Sequence, residues 1–195
     1  NTGEASLGAG YSSTTDASIN VGLREMNFLG KGQKVNFSSS FSNTRNTYDV
    51  SITEPYFNNK TLSLTGKLYS NFTDPGSVNY ETEDLGLGIQ ARFPLSSDRS
   101  FEARYSLFTA KVKADSNATA YERLLAGTDT NSMIGYSLMF DRRDSRYKPS
   151  RGFSFEITQD LAGIGGTTYY FKNKIDYNFY KRITKDLIGA FKFEA

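Results

Sequence analysis

Eleven segments of this chain alternate apolar and polar residues with a period of two, and the polar half recurs in each as Ser, Asn, Gly, Lys or Glu. In residues 85 to 93, Leu85, Leu87, Ile89, Ala91 and Phe93 fall on one side, while Gly86, Gly88, Gln90 and Arg92 fall on the other. Successive side chains of a strand point to opposite faces, so each segment has one apolar and one polar surface. A soluble sandwich shows shorter strands and a hydrophobic interior. A polar face that returns segment after segment, with aromatics near the segment ends, predicts a transmembrane antiparallel β-barrel with lipid outside and a polar lumen.

Hydropathy agrees once strands are the spanning unit. Only 37% of the 195 residues are apolar, and no run approaches the ~20 consecutive apolar residues of a spanning helix. A barrel strand needs only every second residue to be apolar. No secretory signal pattern opens the chain, so Asn1 reads as an internal position of a longer protein. The absence of Cys fits an oxidising export compartment. The absence of His removes the usual general base and the commonest transition-metal ligand, which predicts that the protein is not an enzyme and needs no cofactor. Net charge is +2 with basic residues scattered among acids, so no nucleic-acid surface is expected.

The faces follow from the alternation. Leu64, Leu68, Ile89, Leu138, Phe155 and Phe171 are assigned to lipid, and Lys67, Arg92, Glu156 and Lys172 to the lumen. Tyr69 and Ser70 break strict alternation in the fifth segment, and the alternation slips at Leu107-Phe108, which predicts a bulge or the point where the strand leaves the bilayer. Tight-turn chemistry comes after the even-numbered segments: Leu29-Gly30-Lys31-Gly32, Asn58-Asn59, Ser96-Ser97-Asp98, the Pro149 to Gly152 stretch and Thr184-Lys185-Asp186. Alternate connections are longer, notably 73 to 84 and 109 to 132. Outer-membrane barrels keep short turns on the periplasmic side and long loops outside, so the first strand should run outward. Thr119 with Glu122 forms a capping box, and Gly127 is placed as a helix stop, predicting a short helix near 120 to 126 outside the cell. Bacterial barrels close with an even strand count. Eleven strands therefore read as part of a larger barrel, covering residues 1 to 195, with periplasmic domains and the C-terminal strands lying elsewhere.

Three turns carry a resemblance. The run Asp141-Arg142-Arg143-Asp144 with Pro149-Ser150-Arg151-Gly152 resembles the D-x-R-D…P-x-x-G turn of the BamA family of outer-membrane assembly barrels. Asn27-Phe28-Leu29-Gly30-Lys31-Gly32 is similar to that family's N-x-L-G-x-G turn, and Glu54-Pro55-Tyr56-Phe57 to its x-P-Y-F turn. Order and spacing agree, and the likeness covers the chain as the N-terminal two thirds of the barrel domain. Turn chemistry explains the same residues without any function: glycines allow positive φ and prolines end ladders. Asp141, Asp144, Glu156 and Asp160 could be read as a calcium site, but Arg142, Arg143, Arg146 and Arg151 among them favour ion pairing.

The resemblance implies a function at the first strand. Gly3, Glu4, Ala5, Ser6, Leu7, Gly8, Ala9, Gly10, Tyr11 and Ser12 make a strand poor in side-chain volume, whose register with the barrel's last strand should be loosely specified. Alternatively, these small residues relieve crowding at a tight seam. In proteins of the family that seam acts as a lateral gate, and the first strand pairs by its backbone with a client strand. The resemblance thus implies folding and insertion of client outer-membrane proteins in the cell outer membrane of a Gram-negative bacterium, with accessory assembly lipoproteins and the lipid bilayer as further partners. An organellar relative stays open. A related secretion barrel or passive pore is the alternative; periplasmic repeat domains before Asn1 and an Arg-Gly-Phe loop after Ala195 would discriminate. Arg151-Gly152-Phe153 spells that tripeptide in the wrong place and is not assigned the role.

Overall fold

A computed structural model describes residues 2–12 and 16–195. It contains one antiparallel sheet whose strands run in sequence order: β1 (Gly3–Ser12), β2 (Asp16–Phe28), β3 (Gln33–Ser42), β4 (Arg45–Glu54), β5 (Ser63–Thr73), β6 (Tyr80–Ser96), β7 (Arg99–Ala114), β8 (Gly127–Asp141), β9 (Gly152–Ala162), β10 (Tyr170–Arg182) and β11 (Ile188–Glu194). A short α-helix, α1 (Ala120–Leu125), sits in the connection between β7 and β8, and a 3-10 turn at Phe57–Asn59 in that between β4 and β5. β1 and β11 form the two edges of this sheet, which does not close on itself among the described residues.

Register places every predicted face as the alternation requires. Val50, Leu68 and Leu87 are direct neighbours across β4, β5 and β6, and Leu138 pairs with Ile157 on the same face. On the other face Arg92 opposes Glu102, Glu156 opposes Asp176, and Lys172 opposes Asp160. Burial is inverted relative to a soluble protein. Leu68 is 59% exposed, whereas Ser137, Ser154 and Asp160 are buried. An apolar exterior over a polar interior is the arrangement that a bilayer solvates and water does not.

The strands reach further than the pattern predicts. β7 and β8 stay paired up to Val112↔Gly127, so the connection expected at 109 to 132 shrinks to 115–126, and that expected at 73 to 84 shrinks to 74–79. Polar and charged residues such as Glu83↔Lys111 continue the ladder beyond the apolar band, where hydropathy no longer marks a strand. The bulge expected at Leu107-Phe108 is absent: Leu87↔Leu107 and Gly86↔Phe108 are consecutive pairs. Phe108 simply turns to the polar face opposite Gly86, and the Tyr69 ring occupies the space that Gly86 leaves. Register shifts occur instead between Glu25 and Phe28 and between Pro94 and Ser96, next to two of the tight turns. At Pro94 the missing N–H gives a reason for the break.

A charged network crosses the polar face. Arg92 Nη2 meets Glu102 Oε2 at 2.6 Å, and Glu102 also faces Arg104 at 3.8 Å. Arg104 donates to Asp160 Oδ1 at 2.9 and 2.5 Å and to Ser137 Oγ at 2.9 Å. Arg104, Gly135 and Asp160 lie directly opposite one another on β7, β8 and β9. Gly135 is the saddle of this bridge, because a Cβ there would collide with the Asp160 carboxylate. The apolar face also holds a cross-strand polar ladder, in which the Tyr136 hydroxyl donates to Gln159 and Gln159 Nε2 donates to Asn173 Oδ1 at 2.6 Å.

Charge is divided between the two ends of the sheet. The connections after β2, β4, β6, β8 and β10 contain Lys31, Lys60, Arg142, Arg143, Arg146, Lys148, Arg151 and Lys185 against Asp98, Asp144 and Asp186. Those at the opposite end contain Asp74, Asp115 and Glu122 against Arg123. The end that bears the turns after the even-numbered strands is basic and the opposite end acidic; with the strands extended, the connections at the two ends are of similar length, so the asymmetry expected from the sequence is not seen.

Asp160→Ala is expected to destabilise the sheet by about 3 kcal/mol, since it orphans the half-enclosed Arg104 guanidinium. Adding Arg104→Leu should recover most of that loss, because Glu102 retains Arg92. Urea unfolding in lipid vesicles reads both variants; no recovery in the double variant would contradict the network described.

Candidate functional site

β1 pairs with β2 along its whole length, from Gly3↔Glu25 to Ser12↔Asp16, and every residue of it is exposed. Two side-chain ties between β1 and β2 are long: Ser6 Oγ donates to the Gly22 carbonyl at 3.5 Å, and Ser18 Oγ to the Gly10 carbonyl at 3.4 Å. A Cβ built on Gly8 would come no closer than 3.9 Å to Asn20 Cβ, and one on Gly10 would lie 3.4 Å from Ser18 Oγ. Neither position needs glycine for space. Backbone pairing with β2 is continuous along this strand, and its small side chains add little packing to it.

The three turns singled out in the sequence gather at the end where β1 begins. The largest is built around two acids. Asp144 accepts from the Ser150 hydroxyl at 2.5 Å and from the Ser150 and Arg151 amides at 2.8 and 3.1 Å, which holds its carboxyl far below the usual range. Asp141 receives the Arg143 guanidinium in a two-point grip at 2.8 and 2.9 Å and Arg146 at 3.3 Å. Asp98, in the neighbouring turn, is lowered to about 2 by the Ser96 hydroxyl and by Arg142, whose Nε lies 2.7 Å away. Gly152 has a φ of +96°, and a Cβ there would collide with the Arg142 carbonyl, so the glycine of the motif is a steric requirement. In the turn after β2, Asn27 Oδ1 accepts from the Gly32 amide at 2.6 Å; after β4, Glu54 Oε1 accepts from the Tyr56 amide at 3.1 Å.

These acids are spent on their own turns and ion pairs. Among the described residues no three Asp or Glu come together as a metal site. Arg104, Glu102 and Gly135 escaped the sequence reading. Arg92 and Glu102 are symmetric about the hairpin turn and could have been found by folding the hairpin on paper. Arg104–Asp160 spans three strands and needs the register of both pairs.

At the opposite end the capping box forms as predicted: Glu122 N donates to Thr119 Oγ1 at 3.2 Å and Thr119 N to Glu122 Oε2 at 2.7 Å. Glu122 also accepts from the Asn79 amide at 3.1 Å, clamping the β5–β6 loop to the β7–β8 loop. These bonds, led by that from Thr119 N, lower its carboxyl to about 2.

A single curling meander of long strands, apolar without and charged within, is the wall of a transmembrane β-barrel of the outer-membrane kind. Residues 27–195 match the Omp85 superfamily domain, and the chain belongs to that superfamily. It is 27% identical over 178 residues to the mouse (Mus musculus) sorting and assembly machinery component 50 homolog, covering 89% of this chain and 37% of that protein. It is 26% identical over 188 residues to the outer membrane protein assembly factor BamA of Nitratidesulfovibrio vulgaris, covering 94% of this chain and 23% of that one. The fold matches the crystal structure of BamA from Haemophilus ducreyi lacking POTRA domains 1–3 with a TM-score of 0.80 at 21% identity, over 98% of this chain and 40% of that chain. The chain thus spans well under half the length of each.

Gly152→Ala should destabilise the sheet by about 3 kcal/mol through the positive φ and the carbonyl clash, read as a lowered urea midpoint. An unchanged midpoint would mean that the turn relaxes freely. For Glu122 the carboxyl is lowered from 4.5 to about 2, so the clamp is fully present above about 4.5 and is lost as pH falls toward about 2. Hydrogen exchange at the Thr119 and Asn79 amides, corrected for intrinsic rate, should stay slow from neutral pH to about 5 and accelerate below that.

Proposed function

We propose that this chain is part of the central barrel of the outer-membrane protein assembly machinery, folding and inserting client β-barrels through a lateral gate at β1. The observation that supports the reading is the make-up of β1, ten residues paired with β2 along their whole length and poor in side-chain volume, with two long hydroxyl contacts to it. Gly3 to Ser12 present N–H and C=O groups to a client's terminal strand, and the nascent barrel grows by successive antiparallel pairing before leaving the seam. Main-chain pairing is indifferent to most side chains, so one edge can serve many clients. No covalent step is involved. The names of the mouse and Nitratidesulfovibrio relatives, both assembly components, support the reading. Relatives in animals as well as bacteria fit an outer membrane, and the bacterial BamA relative is the ground for proposing a Gram-negative envelope with accessory lipoproteins as partners. In this reading the basic end, which bears the three family-like turns, faces the periplasm.

A Cys at Ser6, joined by a disulfide to a Cys on the barrel's closing strand in the full-length protein, should abolish insertion of client barrels into vesicles, and reduction should restore it. A Cβ at Gly8 meets no close neighbour in this sheet, and Gly8→Val should slow insertion by stiffening the strand, whereas Ser6→Thr should leave the rate near normal. Client insertion at the normal rate by the tied barrel would dismiss the gate and favour a secretion barrel or passive pore.

A further inference from the structure

The apolar face is interrupted near the basic end of the sheet by a groove of about 730 Å³. Ile52, Leu64 and Ile89 form its floor around Gly66, which pairs with Ile52 on one side and Ile89 on the other. The glycine is not demanded by the backbone, whose φ there is not left-handed, nor by crowding, since an added Cβ would make an ordinary 3.8 Å contact with Ile52 Cγ2. A mid-strand glycine forgoes the side-chain packing that a β-branched residue would supply. Its structural effect here is the groove.

The rim differs in chemistry from the floor. Lys31 lines it and makes no ion pair among the described residues, and exposed Lys60 lies in the facing turn, after Asn58 and Asn59, both left-handed with φ of 56°. Glu54 is the acid at this rim, and its oxygens already accept from Gln33 Nε2 and the Tyr56 amide at 3.1 Å each. Both donors are neutral, so the carboxylate keeps its charge, and the rim sets Lys31 and Lys60 against Glu54 with a net positive balance. Tyr56 and Phe57 stand exposed beside it, where aromatic rings mark the boundary between acyl chains and headgroups.

We propose that this groove holds an acyl chain of an anionic glycerophospholipid whose phosphate lies at Lys31 and Lys60. A cleft in the face that spans the bilayer takes a chain. Two lysines against one carboxylate, at the end of the sheet where cations outnumber acids, select an anionic headgroup over a zwitterionic one. The inference rests on the membrane-spanning assignment of this face and is independent of client assembly.

Native mass spectrometry tests it on the protein released from micelles containing equal amounts of dioleoylphosphatidylglycerol and dioleoylphosphatidylcholine, with folding of each variant checked by heat-modifiable gel mobility. The parent should retain phosphatidylglycerol in preference to phosphatidylcholine. Gly66→Leu fills the groove and should remove that retained lipid. Lys31→Gln with Lys60→Gln should keep a bound lipid but lower the preference by about fivefold for each lysine removed; this pair carries the test if Gly66→Leu fails to fold. Equal retention of the two lipids by the parent, or undiminished phosphatidylglycerol on folded Gly66→Leu, overturns the proposal.

Discussion

Hydrogen-bonding groups of the backbone have no water to turn to inside a bilayer, and everything else in this structure accommodates that fact. Each interior strand gives both its edges to neighbours, and the ladders run with two interruptions, both beside turns. Once pairing is obligatory, register is fixed by which side chains face lipid, because a slip of one residue would exchange the faces. Glycines, charges and rings then settle into the positions that register leaves them.

The polar face shows how that accommodation works. Opposite charges placed directly across strands satisfy one another, as Arg92 and Glu102 do, and a glycine between two long side chains lets them meet over it, as Gly135 does for Arg104 and Asp160. The character of this face changes across the sheet. From β6 to β9 it is cross-linked by ion pairs; along β1 to β3 it is mostly Ser, Asn and Gly, with weak hydroxyl contacts.

Strand number, order and facing were legible in the sequence because alternation reports directly on two solvents. Leu85 to Phe93 reads the same on paper and in the sheet. Strand ends were not, since Glu83 and Lys111 pair as well as Leu87 and Leu107 but carry no apolar signal beyond the bilayer. Phe108 misled for the opposite reason: an apolar residue facing inward looks like a slip until Gly86 opposite is known to leave space. At the first strand, the small side chains were visible at once. What they permit depends on pairing partners that no local pattern names, as Arg104–Asp160 does within the wall itself.

The ties between turns divide this wall mechanically. Arg142 joins the β8–β9 turn to Asp98 of its neighbour, Arg182 reaches Ser150 from the end of β10 at 2.7 Å, and at the far rim Glu122 holds Asn79. The stretch from β5 to β10 is therefore pinned at both rims, like a panel fastened along top and bottom. Under the gate proposed for β1, a force that bends the sheet passes across this panel toward that edge, and compliance there depends on stiffness built far from it.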